Sequence, residues 1–300
     1  MYDIEAIIQD IILPDVEDLR FHKPLQELMS IGTKDKEKYS GGSIRKVIKT
    51  DGTSTARNYT RSDVDPQSGS VEHVVAEWDL IYSEGAGEAH GIDLSQAEGK
   101  GLQAVENVLR EAVDDAYADL FDLMYDNCYS QIRADLLNSG TYSDASLNRT
   151  TYPVLGVYNE TNNTEITVAH LQAAQFQSRF NKKVAGPVGE YTYVLEPTVN
   201  YKIQPKIGAL NTWQQNNSGA KPVDGGYAPA ATFQGSPVKE IGAMTVGDVM
   251  YVHRKKVHFY MHRGLVAKVV PSGKDSVKVI LRCGLNAYAM PHGALLIDKD

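Results

Sequence analysis

Three segments of this chain carry a marked pattern of hydrophobic and polar positions. Near the N-terminus, Ile4, Ile7, Ile8, Ile11 and Ile12 recur at the spacing of one helical stripe, and Pro14 stops it. Burial of such side chains contributes on the order of 1.5 to 3 kcal/mol each. This stripe must therefore pack, either on the core of its own subunit or on a neighbouring surface. From Leu102 to Asn138, apolar residues at Leu102, Val105, Leu109, Ala112, Ala116, Leu120 and Leu123 recur three or four apart and predict one long helix. At about 1.5 Å per residue it is about 55 Å long. No second helix of matching length is present to pair with it. Glu106, Glu111, Asp115, Asp119, Asp122 and Asp126 fall largely off its apolar stripe, and Asn138-Ser139-Gly140 signals its end. From Phe233 to Ile297 the period shortens to that of strands, broken at Gln234-Gly235-Ser236-Pro237-Val238, Val246-Gly247-Asp248-Val249, Arg282-Cys283-Gly284-Leu285-Asn286-Ala287 and Pro291-His292-Gly293-Ala294.

Ahead of the long helix, Thr50-Asp51-Gly52-Thr53 carries the Asp-Gly turn signal between segments with β-branched residues and predicts a hairpin. Its two arms lack an apolar face, and a two-stranded ribbon of that kind is marginal in water by itself. Something else must hold it. Glu84, Glu88 and His90 cluster around Gly85-Ala86-Gly87, which reads as a flexible joint before the helix. The segment has neither a Gly-Lys-Ser/Thr ending nor a full Gly-x-Gly-x-x-Gly, so it is not a phosphate loop.

Composition narrows the function classes. The chain has 300 residues and a net charge of −8, from 38 acids and 30 bases. This balance argues against a protein whose task is to grip nucleic acid, because such binding draws on phosphate neutralisation. No apolar run approaches the ~18 residues of a membrane span, and Met1 to Pro14 has acids where a secretion signal needs bases. Synthesis in the cytoplasm is expected. Cys128 and Cys283 are too few and too far apart for a disulfide framework or zinc site and read as free thiols. His258 and His262 stand four apart, but Val257-His258-Phe259-Tyr260-Met261 has strand composition and lacks the glutamate of a His-Glu-x-x-His motif. As a strand it puts both histidines on one face with Tyr260. No Gly-x-Ser-x-Gly elbow is present. No catalytic residue, cofactor or metal ligand is expected.

Charge is unevenly placed. From Ser43 to Arg61, Arg45, Lys46, Lys49, Arg57 and Arg61 face only Asp51, a sum of +4. From Glu84 to Asp126, eleven acids face Lys100 and Arg110, a sum of −9. A lone long helix beside a basic hairpin without a core suggests an extended molecule whose parts are supported by sister copies.

The C-terminal motifs, in this order and at this spacing, resemble the C-terminal half of tailed-bacteriophage major capsid proteins with the Hong Kong 97-type fold. The resemblance implies an α+β chain with an N-terminal arm (1–40), an extended two-stranded loop and its return strand (41–94), a long spine helix in a peripheral domain (95–165), an axial domain (166–245) and closing strands of the peripheral and axial parts (246–300). Asn138-Ser139-Gly140-Thr141 through Tyr152-Pro153-Val154-Leu155-Gly156 resembles the glycine-rich turn after the spine. Thr167 is the expected N-cap of a helix through Phe180. Tyr191 to Glu196 followed by Pro197 resembles the family's strand and helix-starting proline, and Asn211 to Tyr227, with Asn216-Asn217-Ser218-Gly219 and Gly225-Gly226, an axial loop.

By this resemblance the protein is a structural subunit, not an enzyme, that assembles in the host cytoplasm into hexamers and pentamers of an icosahedral virion shell around double-stranded DNA. Its partners are then copies of itself, a portal, enclosed DNA bound without sequence specificity, and in some members a decoration protein. No long cleavable scaffolding domain is recognisable, and Met1 points to a separate scaffold protein. Some relatives join subunits by a lysine to asparagine bond; Lys46 or Lys49 could supply the lysine, but no asparagine or glutamate matches. The intersubunit surface expected from the residues comprises Ile4, Ile7, Ile8 and Ile11, the bases Arg45, Lys46, Lys49, Arg57 and Arg61, and the spine acids Glu106, Asp115, Asp119 and Asp122. Complementary charge between hairpin and spine of adjacent copies sets register more than affinity. Two alternatives stand beside this: an encapsulin-type nanocompartment shell enclosing cargo enzymes, and a soluble mixed α/β enzyme or binding module.

Overall fold

The computed structural model of the chain describes residues 4, 7–8, 23–37, 39, 42–52, 71–137, 157–159, 166–180, 190–217, 232–272, 276–290 and 294–298. They form helices and sheets in two compact units, each built from segments distant in sequence. The first comprises Met1–Lys36, Leu80–Gln131 and His258–Ala287, and the second Glu37–Asp79, Ile132–Val257 and Tyr288–Asp300.

In the first unit, strands β1 (Thr33–Lys34), β4 (Ser83–Ala89), β10 (Val257–Ser272) and β11 (Ser276–Ala289) make a four-stranded sheet ordered β1-β10-β11-β4. Short helices α1 (Lys23–Met29) and α2 (Gly91–Glu98) accompany it. Helix α3 (Leu102–Leu137) has 36 residues, about 54 Å at ~1.5 Å per residue, and belongs to this unit as far as Gln131. Its buried stripe follows the predicted one from Val105 through Leu120. At its ends the reading needs correction. Leu102 and Leu123 are exposed, and the stripe steps instead to Met124, Cys128, Ile132 and Leu136. A helix offers both i+3 and i+4 neighbours, and four-residue steps dominate here, so the stripe drifts around the axis.

The segment expected to be a joint is a strand. In β4 burial alternates strictly, with Ser83, Gly85, Gly87 and Ala89 turned inward. Gly85↔Leu281 and Gly87↔Val279 pair with β11. A Cβ on Gly85 would run into Ala116 O and stand 2.8 Å from Leu120 N, and one on Gly87 would run into Ala112 O. The glycines therefore let strand and helix backbones touch. Sequence reasoning took glycine as freedom; here it is close approach.

In the second unit, the six-stranded sheet β5-β12-β9-β6-β8-β7 comprises β5 (Val157–Asn159), β6 (Tyr191–Leu195), β7 (Thr232–Phe233), β8 (Ser236–Glu240), β9 (Val249–His253) and β12 (Ala294–Asp298). β6 pairs parallel with β8 and antiparallel with β9, and every residue of β6 and of β9 is buried. Such continuous burial belongs to strands covered on both faces. Its core stacks Tyr191, Tyr193, Tyr251 and Phe233 with Leu171, Ile203 and Ile207 from helices α4 (Val168–Phe180) and α5 (Pro197–Asn217). Gln234 and Gly235, both at positive φ (47° and 88°), make the two-residue β7–β8 turn that the Gln-Gly break marked.

Both helix starts agree with the sequence. Thr167 precedes α4, and its N–H donates to His170 Nδ1 at 3.0 Å, one half of a capping box with imidazole in the usual carboxylate place, while His170 N donates to Thr167 O at 3.1 Å. Pro197 opens α5, and Glu196 caps it by accepting from Thr198 N at 3.0 Å and Val199 N at 3.1 Å. One boundary moves: Asn211 to Asn217, expected to start a loop, continue α5. The strands between Val249 and Arg282 are also long rather than short, β10 having 16 residues and β11 14.

The ribbon consists of β2 (Ser43–Gly52) and β3 (Val71–Asp79), paired antiparallel. Asp51 pairs with Glu72 and Gly52 with Val71, so the Asp-Gly dipeptide lies within the ladder and is not the turn. The register shifts between Lys49 and Asp51, so Thr50 is the extra residue of a bulge. The connection lies within 53–70, outside the described residues, as do the expected glycine-rich turn over 138–156 and the loop beyond Asn217.

Candidate functional site

Among the described residues, the ribbon is buried at its base and exposed at Val47 and Val75 beyond it. Ile44, Ala76 and Trp78 are buried, which corrects the expectation of arms without any apolar face: Ile44 and Trp78 are direct cross-strand partners and form one short inward stripe. Trp78 Nε1 donates to Asp135 at 3.0 and 3.1 Å, and Ala289 N donates to the same carboxylate at 2.9 Å. The Trp78 and Tyr288 rings lie 4.6 Å apart. Asp135 is itself buried at the end of α3. Further out, Val47 and Val75 face one another in the ladder and are 67% and 57% exposed.

Ribbon charge is compensated within the chain. Arg45 Nε donates to Glu77 Oε1 at 2.9 Å, with Ser43 Oγ on the same oxygen. Hydrogen bonds from Ser43 and then Arg45 hold the Glu77 carboxyl below the usual carboxylate range. Lys46 Nζ meets Glu37 Oε2 at 2.5 Å and lies 5.1 Å above the Tyr39 ring. Lys49 pairs in register with His73. Taken with its return strand, the segment from Ser43 to Asp79 sums to −1, because Asp63, Asp65, Glu72, Glu77 and Asp79 offset the bases. The +4 belongs to the outgoing half alone.

On α3, Glu111, Asp115, Asp119, Asp122 and Asp126 are exposed, as their places off the stripe predicted. Glu106 is half-buried and bonded to Arg110 at 3.2 Å. Ile7 and Ile8 are buried by the chain itself and Ile4 is half-buried, which is what a segment packed on its own subunit requires. Ile11, Ile12, Arg57 and Arg61 lie outside the described residues.

The residues considered for chemistry take structural places. Glu84 is exposed and bonds Arg282 Nε at 2.9 Å, and Glu88 lies opposite Lys278. His258 and His262 sit on β10 at alternate positions with Tyr260, as predicted for a strand. The His262 ring fills the space that a side chain at Gly284 would need, and Tyr82 meets it edge-on at 4.7 Å. Burial, with Arg263 beside it, holds His262 below the ordinary imidazole range. Cys128 and Cys283 are buried free thiols. Burial, with Cys283 next to it, pushes Cys128 up to about 12. Among the described residues no group of three or more His, Cys, Asp or Glu is placed to hold a metal ion, and no helix is long and apolar enough to cross a membrane.

No family model matches the chain, and no curated protein matches it. Solved structures do. The cyanophage A-1(L) capsid asymmetric unit aligns with a TM-score of 0.61 at 14% identity, covering 92% of each chain. The capsid of Myoviridae phage XM1 aligns with a TM-score of 0.53 at 15% identity over 90% of each chain. This chain has the fold of tailed-phage capsid proteins. The virus-like particle from Pyrococcus furiosus shares it at a TM-score of 0.51 and 9% identity, over 92% of this chain and 96% of that one. At such identities the likeness is one of fold, and it agrees with the α+β architecture implied by the C-terminal motifs.

Sequence reading missed the Asp135 clamp on Trp78, whose partners are 57 residues apart. It also missed the glycine contact with α3. For the latter a signal existed: Gly85, Gly87 and Ala89 alternate with Glu84, Ala86 and Glu88 at the period of a strand with one small-residue face.

Proposed function

We propose that this protein is a major capsid protein that assembles with copies of itself, as hexamers and pentamers, into an icosahedral shell around double-stranded DNA, and that it is not an enzyme. The observation that carries the reading is the capsid fold over nine tenths of the chain, joined to a ribbon that is buried at Ile44, Ala76 and Trp78 and exposed at Val47 and Val75. Arm, ribbon, spine and axial parts take the ranges given by the sequence. A scaffold protein, a portal and, where the particle carries one, a decoration protein are its further partners, and the virion is its location. The exposed α3 acids suit a wall that encloses DNA without adhering to it, since like charge on protein and phosphate opposes contact.

Sedimentation of the purified protein tests this. The reading expects species of megadalton mass, far above the 33.0 kDa chain; a species that stays monomeric across concentration and salt refutes it. The likeness to the Pyrococcus furiosus virus-like particle supports a second reading, a shell that holds protein cargo. Nuclease-protected DNA inside particles isolated from their native source selects the first, and protein contents without DNA the second.

A further inference from the structure

Among the described residues, His262 on β10 is the buried polar group that nothing answers. Both of its ring nitrogens are buried, and neither has a hydrogen-bond partner. A neutral imidazole carries one donor and one acceptor, so both stand unsatisfied. Buried polar groups are otherwise paired almost throughout a protein, and an orphan of this kind calls for a reason.

The notch that holds the ring is made by a glycine and a tyrosine. A Cβ on Gly284 would run into His262 Nε2 and stand 2.6 Å from its Cε1, so the ring rests on the bare backbone of β11. Tyr82 meets the same ring edge-on, with centroids 4.7 Å apart and planes at 84°. Tyr82 is 64% exposed and belongs to the link 80–82 that joins β3 to β4. Ile81 N of that link donates to Asn286 Oδ1 on β11 at 3.0 Å. The His262 ring therefore fastens the link to the sheet beside that bond.

The groups around the ring do not favour a proton on it. On its own strand, Arg263 is adjacent, Tyr260 stacks at 6.2 Å, and His258 meets Thr33 Oγ1 of β1 at 3.4 Å. On β11, Arg282 and Cys283 precede Gly284, and the link supplies the Tyr82 phenol. Glu84, two residues beyond Tyr82, is engaged by Arg282 Nε at 2.9 Å. Two arginines thus stand against one carboxylate that is already bonded. An imidazolium has two N–H donors and a full charge, and in this notch neither donor finds an acceptor.

We infer that His262 is an acid-released latch: neutral, it seats on Gly284 and holds Tyr82, and protonated, it leaves the notch and frees the link 80–82. The device lies within one subunit and stands apart from the capsid reading. Its folded value is depressed by burial and by Arg263. The seated ring therefore contributes stability above the ordinary imidazole value of about 6.5, and that stability is lost as pH falls through the folded value.

Hydrogen exchange by mass spectrometry on the full-length protein, from about pH 7.5 to about pH 4.5 and corrected for the intrinsic chemical rate, tests this across the histidine range. His262→Phe is measured beside it, since phenylalanine fills the notch and cannot titrate. In the wild type, exchange over 80–84 and 260–264 is expected to rise about tenfold or more toward acid, with a midpoint below the ordinary imidazole value. The buried strand 191–195 keeps its protection over the same range, and His262→Phe shows no rise. A flat wild-type profile overturns the inference, as does a midpoint at or above the ordinary value. So does equal loosening of 191–195, which marks general acid unfolding, or a rise in His262→Phe that matches the wild type. If the variant does not fold, the wild-type midpoint and the 191–195 control decide the matter.

Discussion

Replacing Gly87 by alanine puts a single methyl group between β4 and α3, and the structure says what it meets. The new Cβ would run into Ala112 O and lie 2.8 Å from Ala112 C and 3.2 Å from its Cα. Carbon atoms in ordinary contact stand about 3.5 to 4.0 Å apart, so the helix must retreat by roughly 0.7 Å or more. Both partners are backbone, and no rotamer change can relieve the overlap. A gap of 0.5 to 1 Å forfeits about a quarter to a half of each contact's well depth, and the loss is felt along the stripe of Leu109, Ala112, Val113 and Ala116. Overpacking of this kind costs about 1 to 3 kcal/mol, and a backbone-to-backbone clash belongs at the upper end. The loss of unfolded-chain freedom from Gly to Ala returns about 0.4 to 1 kcal/mol, leaving a net loss of about 2 kcal/mol. Gly264 on β10 has open space where its Cβ would be. Gly264→Ala therefore gains that entropic term without the clash and serves as the control. Urea unfolding of dissociated subunits reads both: the Gly87→Ala midpoint falls at unchanged slope, while that of Gly264→Ala holds or rises. If the two variants unfold alike, the close approach of strand and helix is wrong.

Three further outcomes follow from the same residues. Asp135→Ala leaves Trp78 Nε1 and Ala289 N without their buried acceptor and should cost about 2 to 6 kcal/mol, each donor contributing about 1 to 3; limited proteolysis within 43–79 should accelerate, and an unchanged cleavage rate contradicts the clamp. Burial works to raise the Glu196 carboxyl, but hydrogen bonds from the Thr198 hydroxyl and the Thr198, Val199 and Gly247 amides outweigh it and hold it below the usual range. With the folded value depressed, Glu196 contributes stability above the unfolded pKa that is lost as pH falls through the folded one; Glu196→Gln should lose about 0.5 to 2 kcal/mol at pH 7 and flatten that acid limb, which melting from pH 7 to pH 3 will show. Cys128, buried and pushed up to about 12, should resist thiol reagents at pH 8 until the protein is unfolded, and modification of the native protein within minutes would contradict its placement.

Local chemistry was legible in the sequence wherever neighbours along the chain decide the outcome. Thr167 starts α4 and Pro197 starts α5 because capping and a missing N–H are local matters, and the Gln234-Gly235 turn follows from backbone freedom at two residues. The middle of α3 was legible for the same reason. Its far end was not, since both Leu123 and Met124 fit a helical stripe and only the surface opposite chooses between them. Gly85 and Gly87 were misread because glycine permits both a hinge and a close approach, and the helix that distinguishes the two begins 15 residues beyond Gly87. The charge of the ribbon was misread because the outgoing strand was summed without its return strand. Cross-strand neighbours such as Arg45 and Glu77 are 32 residues apart, and only the register joins them.

As a capsid subunit, the protein should tile with its own copies into a closed shell. Electron microscopy of the purified protein at assembly concentrations tests it most directly. Closed polyhedral particles of uniform wall thickness, built from hexameric and pentameric clusters, are expected. Dispersed single subunits of about 33 kDa, unchanged by concentration, salt or crowding agents, would contradict it.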